Sequence, residues 1–410
     1  MTRTTWTIIL TIILLLACCM LPIAANSLVQ EGTPMGCRRD QHYFGQDLVL
    51  VDVVGTEDVI LYKATDQGWH KLTSPQGTEL RVTPDKTLYI FNAESHQIYR
   101  STDVGENWSL IATAPVFTES QTATRGFYPT PLPDVFLLRV IHEPLGAAGQ
   151  QGIYKSADGG TTWKKVLEGN GWDVAVSPSF AQDGIALASL RGYKLSFGIW
   201  KTTDWGETWQ PSSNGLLVGM DLTGYNIAIS PQFAQDETVF AASGIGVYKS
   251  IDGGNSWTML LSPDDLSYLP HDLVLSPDYI NDQSLLVWGE AQGSWNDPHA
   301  LRLSRDGGQS WQTLVQATEG QKIVGGGLRH LGPFTQPPAP PIPGPYYVYL
   351  PWVSASGQVK FELWYADINY YDPTCYYYHS TDNGRTWAKL VVFEVTHWLY
   401  LPLVSRSIGN

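Results

Sequence analysis

One eight-residue pattern, [S/T]-x-D-x-G-x-x-W, occurs six times along this chain and constrains its fold more than any other feature. The copies are Ser101-TDVGEN-Trp108, Ser156-ADGGTT-Trp163, Thr202-TDWGET-Trp209, Ser250-IDGGNS-Trp257, Ser304-RDGGQS-Trp311 and Ser380-TDNGRT-Trp387, and Thr65-Asp66-Gln67-Gly68-Trp69 is a shortened seventh. Each residue type suits a hairpin. The Ser/Thr hydroxyl and the Asp carboxylate cap N–H groups inside the turn, Gly takes a positive φ, and Trp opens the next strand with its ring buried. The aspartates Asp103, Asp158, Asp204, Asp252, Asp306 and Asp382 are therefore structural caps. From Asp103 to Asp306 they stand about 46 to 55 residues apart, the length of a four-stranded repeat unit. The longer step from Asp306 to Asp382 contains the proline-rich stretch 336–345, which cannot pair in a sheet and reads as an insertion in the last unit.

A second element precedes the boxes. Trp172-DVAVSPSFAQ-Asp183, Tyr225-NIAISPQFAQ-Asp236 and His271-DLVLSPDYIN-Asp282 share one form, with weaker counterparts at Thr78-ELRVT-Pro84 and Gly327-LRHLG-Pro333. The near-continuous apolar run before Ser-Pro predicts an innermost strand buried on both faces and turning at the proline. Glu79, Asp173, Asn226 and Asp272 hold one offset ahead of that run, and Gly327 takes the place in the last unit. Equivalent positions of successive units form a ring, so these side chains are expected to converge on one axial face, with Trp172, Tyr225 and His271 beside them. There they either bind a ligand or hydrogen-bond strand backbone around a wet channel.

The boxes resemble those of the Asp-box (BNR) propeller superfamily, which includes sialidases, xyloglucanases, sortilin-type receptors and photosystem II assembly factors. The resemblance covers roughly residues 47–390 and implies an all-β fold, a seven-bladed β-propeller occupying residues 36–410 with the proline-rich insertion in its last blade. Its closest form is that of secreted bacterial propellers. For function it implies little, because the box is structural in catalytic and non-catalytic members alike. Sialidase chemistry would bring an arginine triad, a Tyr nucleophile with a Glu partner and an acid/base Asp. The Arg-Ile-Pro start is missing, and Arg81, Arg125, Arg139, Arg191 and Arg329 stand in no shared motif.

Two functional readings follow. In the first, a non-catalytic propeller binds a glycan, peptide or protein through the axial face. In the second, paired carboxylates on that face hydrolyse a glycoside, which needs two acids about 5–10 Å apart. Other chemistries lack their signatures: no metal-ligand spacing, phosphate loop, dinucleotide fingerprint or nucleophile elbow occurs, so no metal and no cofactor are expected. The net charge of −14 without a basic cluster argues against nucleic acid as a partner.

The N-terminus, a basic start and an uncharged apolar run to Ala25, reads as an export signal over residues 1–25. Three fates fit it: cleavage near Ala24-Ala25, lipidation at Cys18 in Leu15-Leu16-Ala17-Cys18, and retention as an anchor. Either way the chain is expected outside the cytoplasm, secreted or at the cell surface. Beyond the signal remain Cys37 and Cys375, either free or one bridge between the first and last blades.

Overall fold

In a computed structural model the described residues lie between Arg38 and Phe393, with breaks, the longest covering 332–359. Antiparallel sheets of four strands, consecutive in the chain, succeed one another. The first contains β1 (Arg38–Phe44), β2 (Asp47–Val54), β3 (Asp58–Thr65) and β4 (Gly68–Lys71). The second contains β5 (Glu79–Val82), β6 (Leu88–Phe91), β7 (Gln97–Ser101) and β8 (Ser109–Thr113). Next come β9 (Thr124–Pro129), β10 (Phe136–Ile141), β11 (Gly152–Ser156) and β12 (Lys164–Glu168). The fourth sheet is β13 (Asn170–Val176), β14 (Ala186–Arg191), β15 (Gly198–Thr202) and β16 (Gln210–Pro211). It is followed by β17 (Asn226–Ile229), β18 (Val239–Ser243), β19 (Gly246–Ser250) and β20 (Thr258–Leu261). After these stand β21 (Tyr268–Leu275), β22 (Leu285–Ala291), β23 (Ala300–Ser304) and β24 (Gln312–Gln316), and then β25 (Gln321–Leu331), β26 (Lys360–Asn369), β27 (Asp372–Ser380) and β28 (Ala388–Phe393). Side chains are described mainly for the five sheets from β5 to β24; in the sheets before and after, only Leu61 is.

The first strands lie side by side from sheet to sheet. β5 meets β9, β9 meets β13, β13 meets β17, β17 meets β21, β21 meets β25, and β25 meets β1. The fourth strands are therefore the outer ones. Apolar side chains fill the space between successive sheets. Tyr89, Phe91, Phe127 and Phe136 pack as a ring cluster between the second and third, and Leu187, Ile199, Tyr225, Phe233 and Tyr248 fill the space between the fourth and fifth.

The expectation that the strand before Ser-Pro is buried on both faces is corrected. β5 is half-buried throughout and β17 mostly so, whereas in β18 every residue is buried. In the sheets whose side chains are described, the second strand is buried between neighbours, while first strands expose one side to a cavity. The apolar run in the first strand marks its packing against neighbours rather than complete enclosure.

Ser-Pro opens a one-turn helix, not a bare turn. Ser177 Oγ donates to Asp183 Oδ2 at 2.6 Å, and Asp183 Oδ1 accepts from Ile185 N at 2.8 Å, closing Phe180–Asp183 on itself. The same contacts recur with Ser230 and Asp236, and with Ser276 and Asp282. These helices join first to second strands, and the boxes join third to fourth, so both lie at the same end of each sheet.

Every box that is described is a capped hairpin. In the fifth sheet Ser250 Oγ donates to Asp252 Oδ1 at 2.7 Å and accepts from Gly254 N at 2.8 Å, while Asp252 accepts from the N–H and hydroxyl of Ser256. Gly105, Gly160, Gly206, Gly254 and Gly308 have φ between +84° and +93°, which a Cβ disfavours. The box tryptophans divide by partner. Trp108, Trp163 and Trp311 donate to their own box glycine, whereas Trp257 donates to Ser212 O of the preceding sheet at 2.7 Å. Asp382, Gly384, Asp66, the apolar N-terminal run with Cys18, and residues 336–345 lie outside the described residues, as do the side chains of Cys37 and Cys375. Among the described residues, no helix is long and apolar enough to cross a membrane.

Candidate functional site

The first strands line an open cavity of about 520 Å³ that begins at the end of the sheets away from the boxes and runs along them to Val176 and Ile229. Glu79, Asp173, Asn226 and Asp272 all line it, together with Trp172. Each stands four residues before the Ser/Thr of its Ser/Thr-Pro turn, an equivalent place on its first strand.

Two of the flanking aromatics need separate accounts. In β13 the pairing with β14 shifts between Gly171 and Asp173. This bulge adds one residue, so Trp172 and Asp173 reach the same cavity although neighbours in a regular strand point oppositely. β17 pairs with β18 without such a shift. Tyr225 accordingly turns inward: it is fully buried against Tyr248 and its hydroxyl donates to Leu217 O at 2.6 Å. The expectation of Tyr225 at the ligand face is thus corrected. The side chain of His271 lies outside the described residues.

The cavity also contains Arg81, Tyr128 and Arg139, which the repeat alignment missed. A signal for Arg139 existed. Thr130-Pro131 in the third sheet matches Thr83-Pro84, and counting back four residues from Thr130 gives Gly126. A Cβ there would lie 2.9 Å from Arg139 Nε, so the missing side chain makes room for the guanidinium arriving from β10, the paired strand. Gly171 clears the other side, with Arg139 Cγ 3.0 Å from where its Cβ would stand, and Arg139 Nη1 donates to Trp172 O.

Hydrogen bonds commit the acids to neighbouring strands. Glu79 Oε2 accepts from Phe127 N of β9 at 2.9 Å, and its other oxygen lies 3.6 Å from Arg81. Asp173 Oδ2 accepts from Ile227 N of β17 at 2.9 Å, while Oδ1 accepts from Val174 N at 2.8 Å and from the Tyr128 hydroxyl of β9 at 3.2 Å. Asp272 Oδ1 accepts from Leu273 N at 2.8 Å. Trp172 Nε1 donates to Asn226 Oδ1 at 3.1 Å, and the Arg191 guanidinium lies 4.8 Å from the centre of the Trp172 ring system.

Burial pushes the Asp173 carboxyl above the usual aspartate range, against the opposing pull of the Ile227 N–H, the Arg139 and Arg81 charges and the Val174 N–H. Burial likewise raises the Tyr128 hydroxyl to about 12. The Arg191 guanidinium is lowered by burial and by the like charge of Arg139. A second opening of about 270 Å³ shares Arg81 and Tyr128 with this cavity and continues to Pro129, Pro131 and Pro178 at the box end. Among the described residues no group of three or more His, Cys, Asp or Glu could hold a metal ion.

The BNR/Asp-box repeat family matches residues 378–389. No curated protein matches the sequence. Among solved structures the chain is similar to an ancestral GH74 enzyme, with a TM-score of 0.52, 15% identity, and 81% of this chain and 40% of that one covered. It spans less than half the length of that enzyme. It is also similar to YCF48 from Cyanidioschyzon merolae, with a TM-score of 0.43, 13% identity, and 78% of this chain and 88% of that one covered. Four-stranded antiparallel sheets, box hairpins and the likeness to the GH74 enzyme together define a β-propeller. The matched repeat and the likeness to the GH74 enzyme support a propeller of the BNR/Asp-box repeat kind.

Proposed function

We propose that this protein is a secreted, seven-bladed propeller that binds a glycan, peptide or protein segment in the axial cavity without cleaving it. The observation that carries the reading is the engagement of the cavity's carboxylates. Glu79 and Asp173 each hold the backbone of the next first strand, and Asp173 spends both oxygens on N–H and hydroxyl donors. A nucleophile or acid/base pair needs oxygens turned to the substrate. What such a cavity offers instead is a fixed polar wall of Arg81, Arg139, Asn226 and Asp272 beside the Trp172 ring, the mixture of apolar face and placed polar groups that recognition sites use. Export rests on the apolar run before Ala25 and blade number on the repeat count, with β25 beside β1 as its complement.

A glycan and peptide array run beside a panel of chromogenic glycosides tests the reading. Capture on the array with no chromophore release is the expected result. Turnover on any glycoside, lost in Asp173→Asn, would replace binding with hydrolysis.

A further inference from the structure

Asp173 stands where three first strands meet, and one carboxylate serves all of them. It accepts from Val174 N of its own strand, from the Tyr128 hydroxyl of β9 and from Ile227 N of β17. Only an ionised carboxylate can accept on both oxygens without presenting a proton of its own. A proton taken up on Oδ2 would face the Ile227 N–H, donor against donor, and the bond across the gap between the two sheets would be lost. We propose that Asp173 is a proton-operated clasp: ionised, it ties β13 to β17 and β9, and protonated, it lets go of β17, so that the cavity wall loosens in acid.

The surroundings of Asp173 are mixed in charge. Arg81 and Glu79 from β5, Tyr128 from β9, Arg139 from β10 and Asp272 from β21 share the cavity with it, and β17 contributes the uncharged Asn226. Burial raises the Asp173 carboxyl despite the two arginines. The box carboxylates move the other way. Hydrogen bonds from the box residues lower Asp103 and Asp252, and take Asp204 and Asp306 to about 2. The clasp therefore opens at a higher pH than the one at which the box carboxylates take up protons. Loosening the wall would change ligand affinity, a consequence that rests on the binding reading; the clasp itself does not.

Hydrogen–deuterium exchange on the full chain without ligand, resolved to the Ile227 amide and corrected for intrinsic rates, tests the clasp directly. Protection at Ile227 should fall about tenfold, the worth of one charge-assisted hydrogen bond, as pH is lowered through a step above the ordinary aspartate value. The fully buried β18 should show no such step. Asp173→Asn should abolish the step. Tyr128→Phe, which removes one donor to the carboxylate, should move it to higher pH, and it keeps the test available should the Asn variant not fold. Flat protection at Ile227 in the wild type, or an unchanged step in Tyr128→Phe, would overturn the proposal. Array capture measured across the same pH range then reports on the ligand separately: a step in exchange without a change in capture would leave the clasp standing and count against the cavity as the binding site.

Discussion

The two ends of the sheets use the same residue types for opposite purposes. At the box end Asp252 closes a loop on its own hairpin, accepting from Ser250 and Ser256, two and four residues away. At the cavity end Asp173 reaches Ile227, 54 residues away, and Glu79 reaches Phe127, 48 away. Local capping can be repeated without change, because the hydroxyl and carboxylate caps of each hairpin are satisfied within it. Cross-sheet capping depends on what the neighbour presents, so the four cavity positions hold Glu, Asp, Asn and Asp, and the third sheet replaces the side chain with Gly126 and an arginine from β10.

The largest effect expected from this contrast lies in a box glycine. Gly254→Val places a side chain at φ +90°, with its Cβ 2.7 Å from Leu187 Cδ2 of the adjacent sheet. Backbone strain and overpacking together should remove about 2–4 kcal/mol, read as a lower Tm by calorimetry. Ser250→Ala comes next. It strips the buried Gly254 N–H of its acceptor, and denaturant unfolding should report a loss of about 1–3 kcal/mol.

Asp204→Ala should cost about 1 kcal/mol near neutral pH, as loss of a cap does. Its pH dependence is more telling than its size. Slight burial would raise this carboxyl, but hydrogen bonds from Thr208, Thr202 and Glu207 hold it at about 2, below the ordinary aspartate value. A depressed carboxyl stabilises the fold above the unfolded value and stops doing so as pH falls through the folded one. The stability difference between wild type and variant should therefore shrink between pH about 4 and about 2. A difference that grew on acidification would contradict the capping role.

Smallest is the ion pair in which Lys155 Nζ of β11 sits 2.7 Å from Glu207 of the next box, with Glu207 half exposed. Glu207→Gln should cost under about 1 kcal/mol and less in high salt. A loss equal to that of Ser250→Ala would show that links between sheets matter at the box end too and would blur the comparison.

The same contrast explains what could be read from the amino acids alone. Box hairpins were legible because Ser, Asp, Gly and Trp act within eight residues, and the five described box glycines have the positive φ that the pattern requires. Convergence of Glu79, Asp173, Asn226 and Asp272 was legible through their offset from the Ser/Thr-Pro turn. The inward turn of Tyr225 was not, because a bulge in β13 separates it from Trp172, its counterpart in sequence. Arg139 was legible only indirectly, through Gly126 at the Thr130-Pro131 offset, because it reaches the cavity from a second strand through space left by glycines on two different strands.

The most direct test of the central claim is array capture by three proteins matched for folding by calorimetry: wild type, Asp204→Ala at the box end, and Trp172→Ala at the cavity. Capture of the same glycans or peptides by wild type and Asp204→Ala, reduced at least about tenfold in Trp172→Ala as for loss of a central aromatic contact, is the predicted result. Equal capture by all three would place binding away from the cavity and contradict the account.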